Sequence, residues 1–310
     1  MAKIAVIGSH NQARLLLENL FMRGYDKNID VFSSPVSGGA EISFGEYTLP
    51  VKDINDAVPT DYDLAVFVDN EALATGHMRK WVKAKTKVIN AILESQDGVL
   101  NQSAMITQPL LTALYALPSH KIESVRLTAF IGADIAGQDG MSELYNHTRR
   151  ILMNEAPSGK QIFPKTLAFN IIPQVGTFIG EETETEWLFN SGIKQFVDPD
   201  IKVHANCALV PIFVGMGAFV SITTRDETEP EDIIAEFKKA PKVLVVDNQK
   251  DGGYACPTDA QGENNVFISR IRQDLTSANS FSFWLCGDYA NIAAFNLSEL
   301  VIKTLKKEKK

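Results

Sequence analysis

Short apolar runs alternate with helical patterns along the first third of the chain. Four runs rich in Ile, Val and Phe predict buried strands, at residues 3–8, 28–32, 63–69 and 87–90. Helical stripes over residues 12–23 and 71–84 separate them, and an alternating stretch over 40–51 predicts a hairpin. Strand and helix in turn are typical of a doubly wound sheet, so this region predicts a Rossmann-like α/β domain.

From about residue 106 the pattern changes to longer alternating strands. These are predicted at residues 124–131, 201–210, 213–223, 243–246, 266–272 and 281–285. Helices accompany them, at residues 107–117, 140–155, 182–193, 230–239 and 290–307. Long strands with helices between them indicate one open mixed sheet in a second domain.

Composition and charge narrow the classes of partner. The 30 Lys and Arg against 38 Asp and Glu give a net charge of −8, which argues against a nucleic-acid partner. The longest apolar stretch, residues 208–220, is too short and too broken to span a bilayer, so no membrane partner is expected. Cys207, Cys256 and Cys286 lie far apart, which favours a reduced, cytoplasmic compartment, and no histidine completes a metal-binding spacing with them.

The turn after the first strand is the place where a dinucleotide diphosphate would sit. Residues 8–14 read GSHNQAR, so Gly8 is the one glycine left of the three that such a turn usually carries. The candidate cofactor-binding residues are Gly8, Ser9, Asn11 and Ser34, and Ser9 or Asn11 is the candidate cap of the first helix. The turn is compatible with a crevice that binds a dinucleotide. It is equally compatible with a Rossmann-like sheet whose crevice binds no dinucleotide.

Several stretches of the chain resemble the aspartate-semialdehyde dehydrogenase family. They are FNIIPQVG at 169–176, ISRIRQD at 268–274, GMSEL at 140–144, the C-terminal block at 283–300 and the first strand with Gly8. The resemblance covers most of the chain. It implies a Rossmann-like NAD(P)-binding domain plus an α+β substrate and dimerisation domain with a large mixed sheet.

The resemblance also implies the domain limits, the cofactor and the assembly. Residues 1–104 with 288–310 would form the dinucleotide-binding domain, and residues 105–287 the dimerisation domain. NADP is the implied cofactor, and the implied partner is a second copy of the chain or an active paralogue. In the family, a Cys attacks aspartyl phosphate to give a thioester, a His moves the proton, and arginines hold the carboxylate and the phosphate.

This chain departs from the family at the positions that carry the chemistry. Alignment puts Ala104 at the nucleophile, Leu209 at the substrate-binding Arg and Met216 at the acid–base His. None of these three side chains can attack an acyl carbon, bind a carboxylate or carry a proton. Ser103 would be the nucleophile only if the register moved by one residue.

Further losses concern the phosphate groups. Leu188 stands at a family Lys, and the segment between residues 90 and 101, where the phosphate-binding Arg would lie, is short. The loop at 33–39 lacks the Arg that would meet the 2′-phosphate of NADP. With these departures the chain resembles the non-catalytic, Usg-type paralogues of the family.

Two functions follow from these observations. The first is a catalytically inactive, dimeric binding or scaffold protein, for which no catalytic residue is expected. The alternative is an NAD(P)-dependent oxidoreductase of the semialdehyde dehydrogenase type, acting on an aldehyde or oxo group in amino-acid biosynthesis without covalent catalysis.

Overall fold

The structure of the protein is a computed structural model. It describes residues 2–25, 28–35, 39–92, 98–118, 121–159, 161–226, 228–275 and 279–306. The chain divides into two compact units: unit 1 comprises Met1–Met105 with Ala293–Lys310, and unit 2 comprises Ile106–Ile292.

The helices and strands alternate through both units. The α-helices are α1 (Asn11–Met22), α2 (Glu71–Lys83), α3 (Gln108–Tyr115), α4 (Gly137–Leu152), α5 (Glu184–Phe196), α6 (Pro230–Lys239) and α7 (Tyr289–Lys306). The strands of unit 1 are β1 (Ile4–Ile7), β2 (Ile29–Ser33), β3 (Glu41–Phe44), β4 (Tyr47–Asp53), β5 (Leu64–Phe67), β6 (Lys87–Asn90) and β7 (Leu100–Asn101). Those of unit 2 are β8 (Ile122–Ile131), β9 (Phe178–Ile179), β10 (Glu182–Thr183), β11 (Lys202–Leu209), β12 (Met216–Thr224), β13 (Val243–Val245), β14 (Val266–Gln273) and β15 (Ser280–Gly287).

Unit 1 is a doubly wound sheet with the strand order β3-β4-β2-β1-β5-β6-β7. Its strand pairs are parallel except for the hairpin of β3 and β4. One face packs on the last helix through Leu297 and Val301, and the other on α2 through Met78 and Trp81. Because both faces are covered, the central strands read as continuous apolar runs.

The strand order makes the carboxyl end of β1 the natural binding crevice of unit 1. β1 pairs with β2 on one side and with β5 on the other, so the order reverses at β1. Ligands of open α/β sheets bind at such a switch point, outside the carboxyl ends of the strands. The crevice is therefore formed by the residues that follow β1, β2 and β5.

Unit 2 is built on a six-stranded mixed sheet with the order β11-β8-β12-β15-β14-β13. Side chains alternate along β8, where Val125, Leu127 and Ala129 are buried on one face. Helix α6 packs on that face, where the Phe237 and Phe283 rings meet at 5.2 Å. Along β8, β11 and β12 the opposite face carries exposed and half-buried side chains, whereas on β14 and β15 Ser269 and Cys286 of that face are buried.

Most predicted elements are confirmed within a few residues, with one correction beside the expected site. The strand predicted at 213–223 begins at Met216 instead. Phe213 and Gly215 form a turn whose carbonyl oxygens accept hydrogen bonds from the N–H groups of Asp134 and Gly132. None of the helices in the described ranges combines the length and the apolar character needed to cross a membrane.

Candidate functional site

The turn between β1 and α1 depends on Gly8. Gly8 has a φ of +140°, and a Cβ placed on it would stand 2.3 Å from the Val68 carbonyl oxygen. Its N–H donates to the Phe32 carbonyl oxygen at 2.8 Å. No L side chain fits this position, so the glycine is required by close approach of the backbone of the neighbouring strand.

The carboxylate of Asp69 binds the N-terminus of α1. Asp69 lies just after β5, and its Oδ1 accepts a hydrogen bond from Gln12 N–H at 2.8 Å. Its Oδ2 accepts from His10 N–H at 2.9 Å and Ala13 N–H at 3.0 Å. Burial raises the pKa of Asp69, while these three N–H groups oppose that rise.

The expected caps of α1 are therefore wrong. His10, not Ser9 or Asn11, is the N-cap residue, and within the described part of the chain its side chain makes no capping bond. Free helical N–H groups need an acceptor, and Asp69 supplies it from 56 or more positions along the chain. Sequence reasoning missed Asp69 because nothing local distinguishes it from a residue that ends a strand.

The other candidate cofactor residues lie around the same crevice. Ser9 Oγ donates to Ser33 Oγ at 3.0 Å, which joins the ends of β1 and β2. Asn11 is exposed in the first turn of α1, where its Oδ1 accepts from Arg14 at 3.0 Å. Ser34 is half-buried after β2, and residues 36–38 of the following loop lie outside the described residues, as do residues 93–97 of the short segment before Asn101.

The turn does not fit a dinucleotide diphosphate as it stands. A diphosphate at a helix N-terminus is held by the first backbone N–H groups of the helix. In this structure the Asp69 carboxylate binds the N–H groups of His10, Gln12 and Ala13. Gly8 keeps the turn tight, but the donors that a phosphate would need are already bound to an anion of the chain itself.

In unit 2, Leu209 and Met216 lie in one row across the sheet. Ile131 of β8 pairs with Leu209 of β11 on one side and with Met216 of β12 on the other. Their exposed fractions are 2% for Leu209 and 0% for both Ile131 and Met216. Neighbours in register project from the same face, so this row is an unbroken piece of apolar core.

Ala104 lies in unit 1, before α3, and is half-buried, while the preceding Ser103 is 7% exposed. Its methyl group offers neither a nucleophile nor a hydrogen-bonding atom. The three aligned positions thus fall in both units, and all three carry apolar side chains.

A buried acidic cluster beside Met216 escaped the sequence analysis. Asp134 Oδ2 accepts from Gly215 N–H at 3.0 Å, and Tyr289 lies beside the same carboxylate. Burial raises the pKa of Asp134 to about 6; Tyr289 and the Gly215 N–H oppose this, and Asp288 adds to it. Asp288 itself accepts from Gly262 N–H at 3.0 Å and Asn291 Nδ2 at 2.7 Å. The cluster fixes the turn that leads into β12.

Glu186, which the family resemblance retains, has a structural role in this chain. Its Oε2 accepts from Thr183 N–H at 2.7 Å at the N-terminus of α5, and its Oε1 accepts from Cys207 N–H at 2.9 Å. Burial, and then the Glu186 charge, raise the pKa of the Cys207 thiol well above its usual range. Cys207 and Cys286 are buried, as predicted, and burial raises the pKa of Cys286 to about 12. Both thiols are therefore inert.

Across the described ranges, no three His, Cys, Asp or Glu side chains come together as a metal-binding group. The expectation that the protein binds no metal stays a prediction.

Comparison with known proteins gives one consistent result. A family model, the semialdehyde dehydrogenase dimerisation domain, matches residues 111–290. The aspartate-semialdehyde dehydrogenase of Rickettsia bellii is 28% identical over 331 residues, covering 97% of this chain and 98% of that protein. That of Bacillus subtilis is 27% identical over 337 residues, covering 98% of this chain and 97% of that protein.

Solved structures match over nearly the whole chain. The aspartate semialdehyde dehydrogenase II of Vibrio cholerae, complexed with ASA, has a TM-score of 0.87 at 20% identity and covers 98% of both chains. The aspartate semialdehyde dehydrogenase of Candida albicans, with NADP, has a TM-score of 0.69 at 15% identity and covers 99% of both chains. These likenesses confirm the predicted fold class.

Proposed function

This chain belongs to the aspartate-semialdehyde dehydrogenase family, and we propose that it serves there as a catalytically inactive, dimeric binding or scaffold protein. It has kept the fold of the family and lost the groups that carry the reaction, as in the Usg-type paralogues it resembles.

The row of Leu209, Ile131 and Met216 carries the proposal. A substrate carboxylate needs a charged or hydrogen-bonding partner, and burying it against apolar side chains costs several kcal/mol. Leu209 and Met216 are fully packed, with exposed fractions of 2% and 0%. They serve as core residues, so the side of the site that would clamp the carboxylate and move the proton has become part of the hydrophobic interior.

The open face of the unit 2 sheet supports the dimer. Phe130, Phe219 and Trp284 form an aromatic group there, with centroids of Phe219 and Trp284 4.9 Å apart. Phe219 is 46% exposed. Gly217 leaves room for the Trp284 ring, since a Cβ at Gly217 would stand 2.3 Å from it. A face with a group of aromatic side chains, one of them exposed, is typical of a protein–protein interface, and the matching domain of the family is a dimerisation domain.

The test combines an enzyme assay with a mass measurement. We expect no phosphate-dependent oxidation of aspartate semialdehyde with NADP or NAD above the buffer blank, while the Bacillus subtilis relative assayed in parallel turns over. Light scattering should give about twice the chain mass of 34.1 kDa.

Two results would contradict the proposal. Turnover of aspartate semialdehyde or another aldehyde would favour the alternative, an NAD(P)-dependent oxidoreductase. A monomer at every accessible concentration would remove the assembly surface that a dimeric scaffold requires.

A further inference from the structure

The crevice at the carboxyl end of β1 holds an anion that belongs to the chain. Asp69 Oδ1 and Oδ2 together accept three backbone hydrogen bonds, from the N-cap residue His10 and from Gln12 and Ala13 of α1, all between 2.8 and 3.0 Å. The N-terminus of a helix carries a partial positive charge and unsatisfied N–H groups, so it binds carboxylates and phosphates alike. The Asp69 carboxylate therefore has the charge and the contacts that a ligand phosphate would have in this place.

We infer that Asp69 is a specificity-determining residue that excludes the diphosphate of NADP(H) and NAD(H) from this crevice. A diphosphate that entered with Asp69 in place would bring a second anion against the same donors. Like charges within hydrogen-bond distance repel, and the N–H groups cannot serve both acceptors. Dinucleotide binding thus requires the carboxylate to leave, together with its three hydrogen bonds.

The backbone around Asp69 keeps the carboxylate in place. Asp69 has a φ of +65°, a conformation that sets the direction of its Cα–Cβ bond and that most L residues avoid. On one side of it, Val68 N–H donates to the Ile7 carbonyl oxygen at 2.9 Å, and Gly8 packs against the Val68 carbonyl group. On the other side, Asn70 Oδ1 caps α2 by accepting from Leu73 N–H at 3.0 Å. Since both neighbours are anchored, the backbone at Asp69 is held in place, and the carboxylate can leave only by rotating its side chain and giving up its three hydrogen bonds.

This inference goes beyond the proposed function, because it rests on unit 1 alone and concerns binding of a dinucleotide rather than turnover. It also explains how the crevice can keep Gly8, the tight turn and the helix, and still not take the cofactor of the family.

The test removes the carboxylate and measures binding. Asp69→Gly is the preferred truncation because glycine accepts the φ of +65°. NADPH and inorganic pyrophosphate are titrated by calorimetry into the wild-type protein and the variant. We expect no saturable binding to the wild type up to about 1 mM, and NADPH binding to Asp69→Gly that is tighter by about tenfold or more.

A second variant and a control keep the result interpretable. Asp69→Asn removes the charge but keeps an acceptor and tolerates positive φ, so it should fold where Asp69→Gly does not and should show a smaller gain in NADPH affinity. Asp63→Ala is the matched control. Asp63 precedes β5 and accepts from Lys3 N–H at 2.7 Å, at the amino ends of the same strands. Its loss should leave NADPH binding unchanged.

The binding and turnover measurements distinguish the role of Asp69 from the proposed function. Tight NADPH binding by the wild type, or equal affinities of the wild type and the folded Asp69 variants, would overturn the role of Asp69. NADPH binding by the wild type without turnover would overturn this inference and leave the proposed function standing, whereas turnover would overturn the proposed function by itself.

Discussion

The carboxylate of Asp134 accepts a hydrogen bond from the backbone N–H of Gly215, at 3.0 Å. Gly215 has a φ of +85°, and a Cβ on it would stand 3.0 Å from the Gly287 carbonyl oxygen. The bond therefore fixes a tight turn next to Met216. Burial raises the pKa of this carboxylate to about 6, so its ionisation in the folded protein has an energetic cost.

That cost predicts a pH dependence for the stability of an Asp134→Asn variant. The folded state favours the protonated form of Asp134. The stability that this group gives the folded protein is therefore fully present below the unfolded pKa of 3.8 and is lost as the pH rises through about 6. The asparagine variant should therefore gain stability relative to the wild type from pH 4 to 7, by up to about 3 kcal/mol, and no more above pH 7. Urea unfolding at several pH values measures this difference.

Tyr289→Phe tests the same assignment from the other side. The Tyr289 hydroxyl lowers the pKa of Asp134, so its removal should move the upper end of the pH window to higher pH. A stability difference between wild type and Asp134→Asn that does not change with pH would show that Asp134 ionises in the folded state without this cost.

Gly8→Ala should destabilise unit 1 strongly. The new methyl group would overlap the Val68 carbonyl group, and the φ of +140° is one that alanine avoids. We expect a loss of about 3 kcal/mol or more in the free energy of unfolding.

Gly24→Ala is the matched control, because Gly24 has a φ of +78° but no described atom within 4 Å of the added Cβ. It should lose only about 1 kcal/mol. Equal losses in both variants would show that the contact with Val68 is not what requires Gly8.

The alternation of apolar runs and helical stripes was enough to predict unit 1, because a covered parallel sheet leaves a strong local pattern. The pattern placed the start of the strand predicted at 213–223 three residues too early. Residues 213–215 are apolar or small, like a strand, but the acceptors for Gly132 N–H and Asp134 N–H lie in their carbonyl groups. These hydrogen bonds form only in the tertiary structure, so the order of apolar and polar side chains in the sequence does not reveal them.

In the candidate site, too, the residues whose roles depend on long-range contacts could not be predicted from the sequence. Gly8 was found because a glycine at the end of a buried strand is a local signal with a known cause. Asp69 contacts residues 56 to 59 positions away, and the strand order that brings β5 beside β1 is needed before its role can be seen. Asp134 likewise gains its role from Gly215 and Tyr289, which are distant in the sequence.

Restoring the aligned family residues should not restore the reaction. The variant Ala104→Cys with Leu209→Arg and Met216→His places two polar side chains in the row around Ile131, where the present side chains are fully packed. We expect loss of several kcal/mol in the free energy of unfolding, because buried charges and polar groups lack partners there. Turnover of aspartate semialdehyde should stay at the buffer blank.

Ala104→Cys alone is the control for the combined variant. Position 104 is half-buried and gains a single sulfur atom, so this variant should unfold at nearly the wild-type urea concentration. Robust turnover by the combined variant would mean that the rest of the site, including its phosphate clamp, has survived.

Phe219→Lys should convert the protein to a monomer without unfolding it. Phe219 projects from the open face of the unit 2 sheet and is 46% exposed, so a lysine there remains solvated in the monomer. At the centre of an interface the same charge would be buried without a partner, which weakens association by about 2 kcal/mol or more. Light scattering over a dilution series should show the mass fall from two chains to one, with an unchanged circular dichroism spectrum.

Met22→Lys is the matched control, since Met22 is 79% exposed at the end of α1 in unit 1, and it should leave the dimer intact. A Phe219→Lys protein that remains dimeric at the lowest concentration would place the interface elsewhere and remove this face from the proposed assembly.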